Sequence, residues 1–244
     1  MALRRGLTGL VALAPLAVFA ACAAQVPTNR IPAALVEGEA YAPVIDPADF
    51  DNPIVNDYFP LQPGFATVFE GGGERVEVTI TAETKVIMGV TTHVITDRVF
   101  VDGELQEDTV DWYAADDFGN IWYFGEQTAE YENGQITSTE GSWEAGVDGA
   151  LPGIIMLADP RVGDTYRQEF YAGEAEDVAR VYERDQSITV PANSYDRILV
   201  TEDWSLLTPS VHERKWYAPG IGVVFEQTVL GGSGTLSLVD FTRQ

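Results

Sequence analysis

Alternation of apolar and polar residues is the clearest local pattern in this chain from about residue 65 onwards. Val76, Val78 and Ile80 alternate with charged and hydroxyl side chains, which is typical of a half-buried strand. Turn dipeptides such as Asp102-Gly103 and Asn133-Gly134 separate further segments of this kind and favour tight hairpins. The pattern predicts further strands at residues 92–101, 105–113, 121–125, 126–132, 135–143, 165–171, 178–185, 198–204, 212–217, 223–229 and 236–241.

Many short strands between turns, without a long capped helical period, predict an all-β protein. We expect a single antiparallel β domain over residues 64–244, built as a curved half-barrel, a closed barrel or a sandwich. Only residues 174–181 have a pattern that allows one or two helical turns. A segment of roughly 180 residues has the size of one ordinary domain.

The first 63 residues differ from the rest. Arg4 and Arg5 precede an apolar stretch that ends in small residues at Cys22, the pattern of a cleaved export signal. A cysteine at this point resembles the lipobox of bacterial lipoproteins, which implies cleavage before Cys22 and a lipid on its thiol. Seven of the thirteen prolines lie in residues 23–63, which favours an extended tether. The predicted divisions are a signal peptide at 1–21, an anchor and Pro-rich tether at 22–63, and the β domain at 64–244.

These features predict a lipid-anchored protein of the bacterial cell envelope. The residue after the cysteine is Ala23 and not an aspartate. By resemblance to the sorting rules of Gram-negative lipoproteins, this indicates the outer membrane if the host has one. Two alternatives stay open, namely a plain signal peptide with a chance cysteine and an uncleaved membrane helix. The apolar stretch is shorter than the ~20 residues that such a helix needs.

Charge narrows the range of partners. The whole chain has a net charge of −24, with 14 basic and 38 acidic residues. Cleavage before Cys22 removes Arg4 and Arg5 but no acid, so 12 − 38 leaves −26. A field of this sign repels nucleic acid and attracts cations and basic partners. It also keeps a surface protein soluble. With Cys22 lipidated, no second cysteine remains for a disulfide.

Two segments resemble a known group of proteins. One is the run Lys215-Trp216-Tyr217-Ala218-Pro219-Gly220-Ile221-Gly222, and the other runs from Asp111-Trp112-Tyr113-Ala114 through Gly119-Asn120-Ile121-Trp122-Tyr123 to Trp143. They are similar to an uncharacterised family of exported, β-rich bacterial lipoproteins, over most of residues 58–240. The resemblance implies the fold and the envelope location. It carries no catalytic residue across, because no activity is assigned to that group.

Few residues offer catalytic chemistry. His93 and His212 are the only histidines, and neither belongs to a hydrolase or zinc motif. We therefore expect a binding or structural protein that is not an enzyme. A carboxylate-based glycan hydrolase stays open as an alternative, which requires a pair such as Asp116 and Glu144 to converge in a cleft.

A second alternative is an acidic surface domain stabilised by calcium. Asp116, Asp117, Asn120 and Glu126 supply hard oxygen ligands of the kind that Ca²⁺ prefers. Their spacing is not that of an EF-hand, and a tight β-turn uses the same residue types. No other cofactor is expected.

Tryptophans offer the clearest candidate binding residues. All five lie in predicted strands or at their edges: Trp112, Trp122, Trp143, Trp204 and Trp216. In a core they are packing, and at a groove they would bind an apolar chain or the face of a sugar. The leading expectation is a membrane-tethered β domain that binds a small apolar or glycan ligand, or an envelope protein.

Overall fold

The computed structural model describes residues 41–243, which form an all-β fold with one short 3₁₀ turn at Pro47–Phe50. The all-β prediction is confirmed. The fifteen strands are β1 (Ala66–Gly71), β2 (Glu74–Ile87), β3 (Val90–Val101), β4 (Glu104–Ala115), β5 (Ile121–Glu132), β6 (Gln135–Ser138), β7 (Trp143–Glu144), β8 (Leu151–Met156), β9 (Thr165–Arg167), β10 (Glu169–Phe170), β11 (Asp177–Val190), β12 (Asn193–Ser205), β13 (His212–Ala218), β14 (Gly222–Leu230) and β15 (Thr235–Thr242).

All the strands belong to one antiparallel sheet, whose order is β10-β8-β5-β4-β3-β2-β1-β15-β14-β13-β12-β11-β9. The short strands β6 and β7 pair with β5 beside this path. Its two ends, β10 and β9, are joined in sequence through Gln168 alone, whose N–H donates to the carbonyl of Asp177 at 2.8 Å. The sheet is therefore nearly closed into a barrel, and its inner face becomes a core.

Two local expectations need correction, and one strand was not predicted. Residues 174–181, expected to allow a helical turn, enter β11, a strand of fourteen residues. Residues 121–132 form one continuous strand and not two. The apolar segment Leu151–Met156 forms β8 although Pro152 and Gly153 stand within it. In each case the pairing with neighbouring strands of the sheet decides the local conformation.

The end of the predicted tether lies against the barrel. Residues 54–61, called the strap below, are held by several hydrogen bonds. Asn56 is buried and donates from Nδ2 to the carbonyls of Gly119 and Leu157, at 2.8 and 3.0 Å. The hydroxyl of Tyr58 donates to the carbonyl of Arg197 at 3.0 Å. Cys22 and the rest of the predicted tether up to residue 40 lie outside the described residues, and the divisions at 21 and 63 stay predictions.

Within residues 41–243, no helix has the length and hydropathy needed to cross a bilayer.

Closure of the sheet depends on a close approach at Gly153. A Cβ placed on this residue would lie 2.2 Å from the carbonyl oxygen of Gln168, which is backbone and cannot move aside. Gly153 pairs with Tyr123 of β5. A side chain here would push the β9–β10 end of the sheet away from β8.

We expect Gly153→Ala to destabilise the fold by about 2 kcal/mol or more, since overpacking against backbone forces the strands apart. Urea unfolding measures the change. Gly234→Ala is the matched control, because its added Cβ would meet only ordinary contacts, the nearest at 3.5 Å. Equal stability of the two variants would contradict the role of Gly153.

Candidate functional site

Three Trp-Tyr dipeptides show how the strands divide their side chains between the two faces of the sheet. Successive residues of a strand point to opposite faces. Tyr113, Tyr123 and Tyr217 are all buried. The rings of Tyr113 and Tyr123 stack with their centroids 4.5 Å apart. The neighbouring tryptophans must then lie on the opposite face.

The inner face lines a cavity of about 190 Å³ that is partly open to solvent. Most of its wall is apolar or aromatic. These residues are Phe59, Phe65, Phe69, Val78, Ile80, Ile95, Tyr113, Ile155, Tyr217, Ile221 and Val223. Phe59 comes from the strap, so this segment closes part of the cavity.

Charged side chains line the same cavity. They are Asp97 of β3, Asp111 of β4, Lys215 of β13 and Glu226 of β14. Lys215 and Glu226 are direct cross-strand partners. Asp111 accepts a hydrogen bond from the hydroxyl of Tyr123 at 2.6 Å and a longer one from Tyr113 at 3.4 Å. Oδ1 of Asp97 is shielded from solvent and has no hydrogen-bond partner.

Burial raises the pKa of several interior carboxyl groups. For Asp97 it raises the pKa to about 8, helped by the negative charges of Asp111 and Glu226. For Asp111, burial raises the pKa to about 6, while its two tyrosine donors hold it down. The pKa values of Glu126 and Glu169 are each raised to about 8, again mainly by burial. The interior therefore carries protonated acids near neutral pH.

Lys215 is the positive charge of this interior. Its ammonium lies 3.8 Å from Oδ2 of Asp203, which is buried. Burial lowers the pKa of Lys215, but the carboxylates of Glu226 and Asp203 outweigh that effect and raise it well above the ordinary value. The ammonium is therefore charged, and the negative charges of Glu226 and Asp203 both stabilise it. Oδ1 of Asp203 has no hydrogen-bond partner.

Two segments of similar sequence place a charged residue and a tyrosine on the cavity wall. Asp111-Trp112-Tyr113-Ala114 and Lys215-Trp216-Tyr217-Ala218 each place a charged residue and a tyrosine, two positions apart, on the cavity wall. The sequence contained a signal for these residues. In a strand, residues two positions apart lie on the same face, so a charged residue two positions before an inward tyrosine also points inward.

The five tryptophans are not gathered in one groove, and none lines the cavity. Trp112 lies under the ammonium of Lys85, 3.3 Å from the ring centroid, and Trp204 stacks on His212. Trp216 contacts Phe225 edge-on. Trp143 is buried beside Tyr123 and donates to Glu169. The aromatic wall consists of phenylalanines and tyrosines instead, since alternation turns Trp112, Trp122 and Trp216 away from it.

The residues of the expected calcium site are divided between two places. Asp116 accepts bonds from Phe118 N, Asn120 N, Asn120 Nδ2 and Trp122 Nε1, all at 2.8 or 2.9 Å. Asp117 accepts from Asn52 N at 2.7 Å. Glu126 lies six residues along β5 from Asn120, roughly 20 Å away at strand spacing. Across residues 41–243, no group of three or more His, Cys, Asp or Glu is placed to hold a metal ion. Asp116 instead stabilises its own hairpin turn.

Asp116 and Glu144, the example of a hydrolase pair, have different partners. Glu144 forms an ion pair with Lys85 at 2.7 Å, and Asp116 belongs to the hairpin turn. The histidines also lie apart. His93 borders a smaller cavity of about 140 Å³ under the strap, whereas His212 contacts Glu202.

Comparisons with known proteins give structural relatives only. No model of a protein family and no curated protein matches the chain. The chain is similar to a protein from Bacteroides fragilis that is inferred to be exported and has a YmcC-like fold. The two sequences are 15% identical, the match covers 77% of this chain and 100% of that chain, and the TM-score is 0.45. It is also similar to an inferred lipoprotein from Parabacteroides distasonis, at 12% identity, 78% and 100% coverage and a TM-score of 0.40.

The raised pKa values make stability depend on pH. The folded chain holds protons on Asp97, Asp111, Glu126 and Glu169 that the unfolded chain has lost above about pH 4. Their contribution to stability is therefore largest at low pH and is lost as the pH rises through about 8. We expect a lower urea midpoint at pH 8.5 than at pH 5. A higher midpoint at pH 8.5 would contradict this assignment.

Asp97→Asn tests one of these groups alone. The amide has nearly the shape of the protonated acid but cannot ionise, so we expect on the order of 2 kcal/mol of stabilisation at pH 8.5 and little change at pH 5. Urea unfolding at both pH values measures this difference. Asp240→Asn, on the exposed side of β15, is the control and should show no such dependence.

Proposed function

We propose that the protein is an envelope lipoprotein, anchored through Cys22, which binds a small and largely apolar ligand inside its barrel. The cavity is the observation that carries this proposal. An engineered apolar cavity of about 150 Å³ takes up benzene, and this one, at about 190 Å³, has more room. Its size suits a single aromatic ring with a short substituent.

The composition of the wall indicates two parts of the ligand. Aromatic and aliphatic side chains such as Phe65, Phe69 and Ile95 would bury an apolar body. Asp97, Asp111 and Glu226 would face a polar head group, since they line the same space. A few polar groups in a mostly apolar pocket are typical of small-molecule sites.

In the sequence, the strap lies between the predicted anchor and the barrel. Phe59 and Pro60 form part of the wall, and the ring of Phe59 lies 5.2 Å from that of Tyr113. The N–H of Gly220 donates to the carbonyl of Asp57 at 2.6 Å, which holds the strap against the β13–β14 turn. The segment that leads from the lipid would thus border the entrance to the site.

A role in binding without catalysis is part of the proposal. Neither histidine lines the main cavity, and Lys215 is held charged by carboxyl groups, so it is a poor nucleophile. The aspartates of the cavity would serve as recognition groups.

Filling the cavity should abolish binding. Val78 lines the cavity, so Val78→Phe would occupy the space of the ligand, whereas Val86→Phe, on the same strand and exposed, would leave it free. Benzyl alcohol is a suitable probe. We expect saturation-transfer NMR to show binding to the parent protein and to Val86→Phe, and at least a tenfold loss with Val78→Phe. Absence of binding to all three would contradict the proposed ligand site.

Anchoring through Cys22 has a separate test. Cys22→Ala removes the thiol that would carry the lipid, so we expect loss of fatty-acid labelling and release of the protein from the membrane fraction. Labelled palmitate and cell fractionation measure these two effects. Ser205→Ala, in the barrel, is a control that should keep both. Membrane retention of Cys22→Ala would contradict the anchor.

A further inference from the structure

We infer that the head group of the ligand is an organic cation, of the primary-amine class, which pairs with Asp97 at the charged end of the cavity. This inference rests on the proposed ligand site. It adds the charge of the ligand and the residue that recognises it, neither of which follows from the size of the cavity.

The unpaired oxygen of Asp97 is the first observation. Oδ1 is shielded from solvent and lacks a hydrogen-bond partner, although its residue lines the cavity. A buried carboxyl oxygen without a partner is costly. An ammonium group in the cavity would donate to this oxygen and would form the charge-assisted bond that is missing.

The balance of charge around the cavity is the second observation. Asp97, Asp111 and Glu226 face it together with a single positive group, that of Lys215. That ammonium lies 3.8 Å from Oδ2 of Asp203, and the carboxyl group of Glu226, its cross-strand neighbour, also stabilises its charge. Carboxyl groups therefore outnumber positive groups at the cavity, and a cationic ligand can pair with Asp97 once that group gives up its proton.

An anionic head group does not suit this arrangement. A carboxylate that approached Lys215 would also approach Glu226, its direct cross-strand partner, and like charges repel strongly where water is excluded. A neutral hydroxyl would donate one bond but would not favour the ionised form of Asp97. An ammonium group can donate up to three bonds and also stabilises the ionised carboxylate.

Binding of such a cation would displace a proton. Burial keeps Asp97 protonated near neutral pH because its pKa is about 8. The groups that act on it are Asp111 and Glu107 from β4, Glu226 from β14 and Lys215 from β13, while its neighbour on β2 is the apolar Val78. When the ammonium pairs with Asp97, the carboxyl O–H bond breaks and its proton leaves to solvent. The affinity for an amine should therefore rise between pH 6 and pH 8.

Three probes of one size test the inference: benzylamine, benzyl alcohol and benzoate. They would be titrated calorimetrically into the full lipoprotein in zwitterionic nanodiscs, with empty nanodiscs as the blank. Benzylamine stays protonated at pH 6 and at pH 8. We expect it to bind about tenfold more tightly than benzyl alcohol at pH 8, with a smaller preference at pH 6. We also expect a heat that depends on the buffer, as proton release requires.

Asp97→Asn should remove the preference for the amine while benzyl alcohol still binds. Asp240→Asn should leave both affinities unchanged. Equal binding of amine and alcohol at pH 8 would overturn the inference but not the proposed site. Tightest binding of benzoate would also overturn it and would assign recognition to Lys215. Failure of all three probes to bind would overturn the proposed site itself.

Discussion

Closure of the sheet is the constraint on which the rest of this structure depends. The two ends of the strand order are joined through Gln168, and β8 can lie beside this link because it carries Gly153 where the backbone of Gln168 passes. Once the sheet is closed, its inner face is withdrawn from water, and every carboxyl group on that face must exist in a poorly hydrated space. The raised pKa values of Asp97, Glu126 and Glu169 are the direct result.

Burying several ionisable groups costs free energy of folding. Apolar side chains of similar volume would commonly give equal or greater stability than buried ionisable groups. Six carboxyl groups with raised pKa values and one buried lysine therefore favour a use beyond folding. Oδ1 of Asp97 and Oδ1 of Asp203 are buried without a hydrogen-bond partner, so the fold itself does not satisfy these two atoms.

On the outer face of the barrel, the carboxyl group of Glu202 contrasts with the interior acids. There Glu202 accepts bonds from Arg214 and Arg180 and contacts His212, so its charge is met by several partners near solvent. Its pKa is lowered, because these hydrogen bonds and charges together outweigh the effect of burial. The acidic side chains of the two faces are thus stabilised in different ways. On the outer face they form ion pairs or are hydrated, and on the inner face they are protonated or lie near the ammonium of Lys215.

The sequence by itself determined the class of fold, because alternation such as Val76, Val78 and Ile80 is a local property that any strand must show. It also singled out the segments around Trp112 and Trp216, which resemble parts of exported β-rich lipoproteins. It did not show which face of each strand would be enclosed, so it could not indicate that Tyr113 and Tyr217, and not Trp112 and Trp216 beside them, line the cavity. Nor did it find β8, whose Pro152-Gly153 pair argues against a strand. The enclosed face, the cavity and the shifted pKa values follow from contacts between distant residues, and only the tertiary structure decided them.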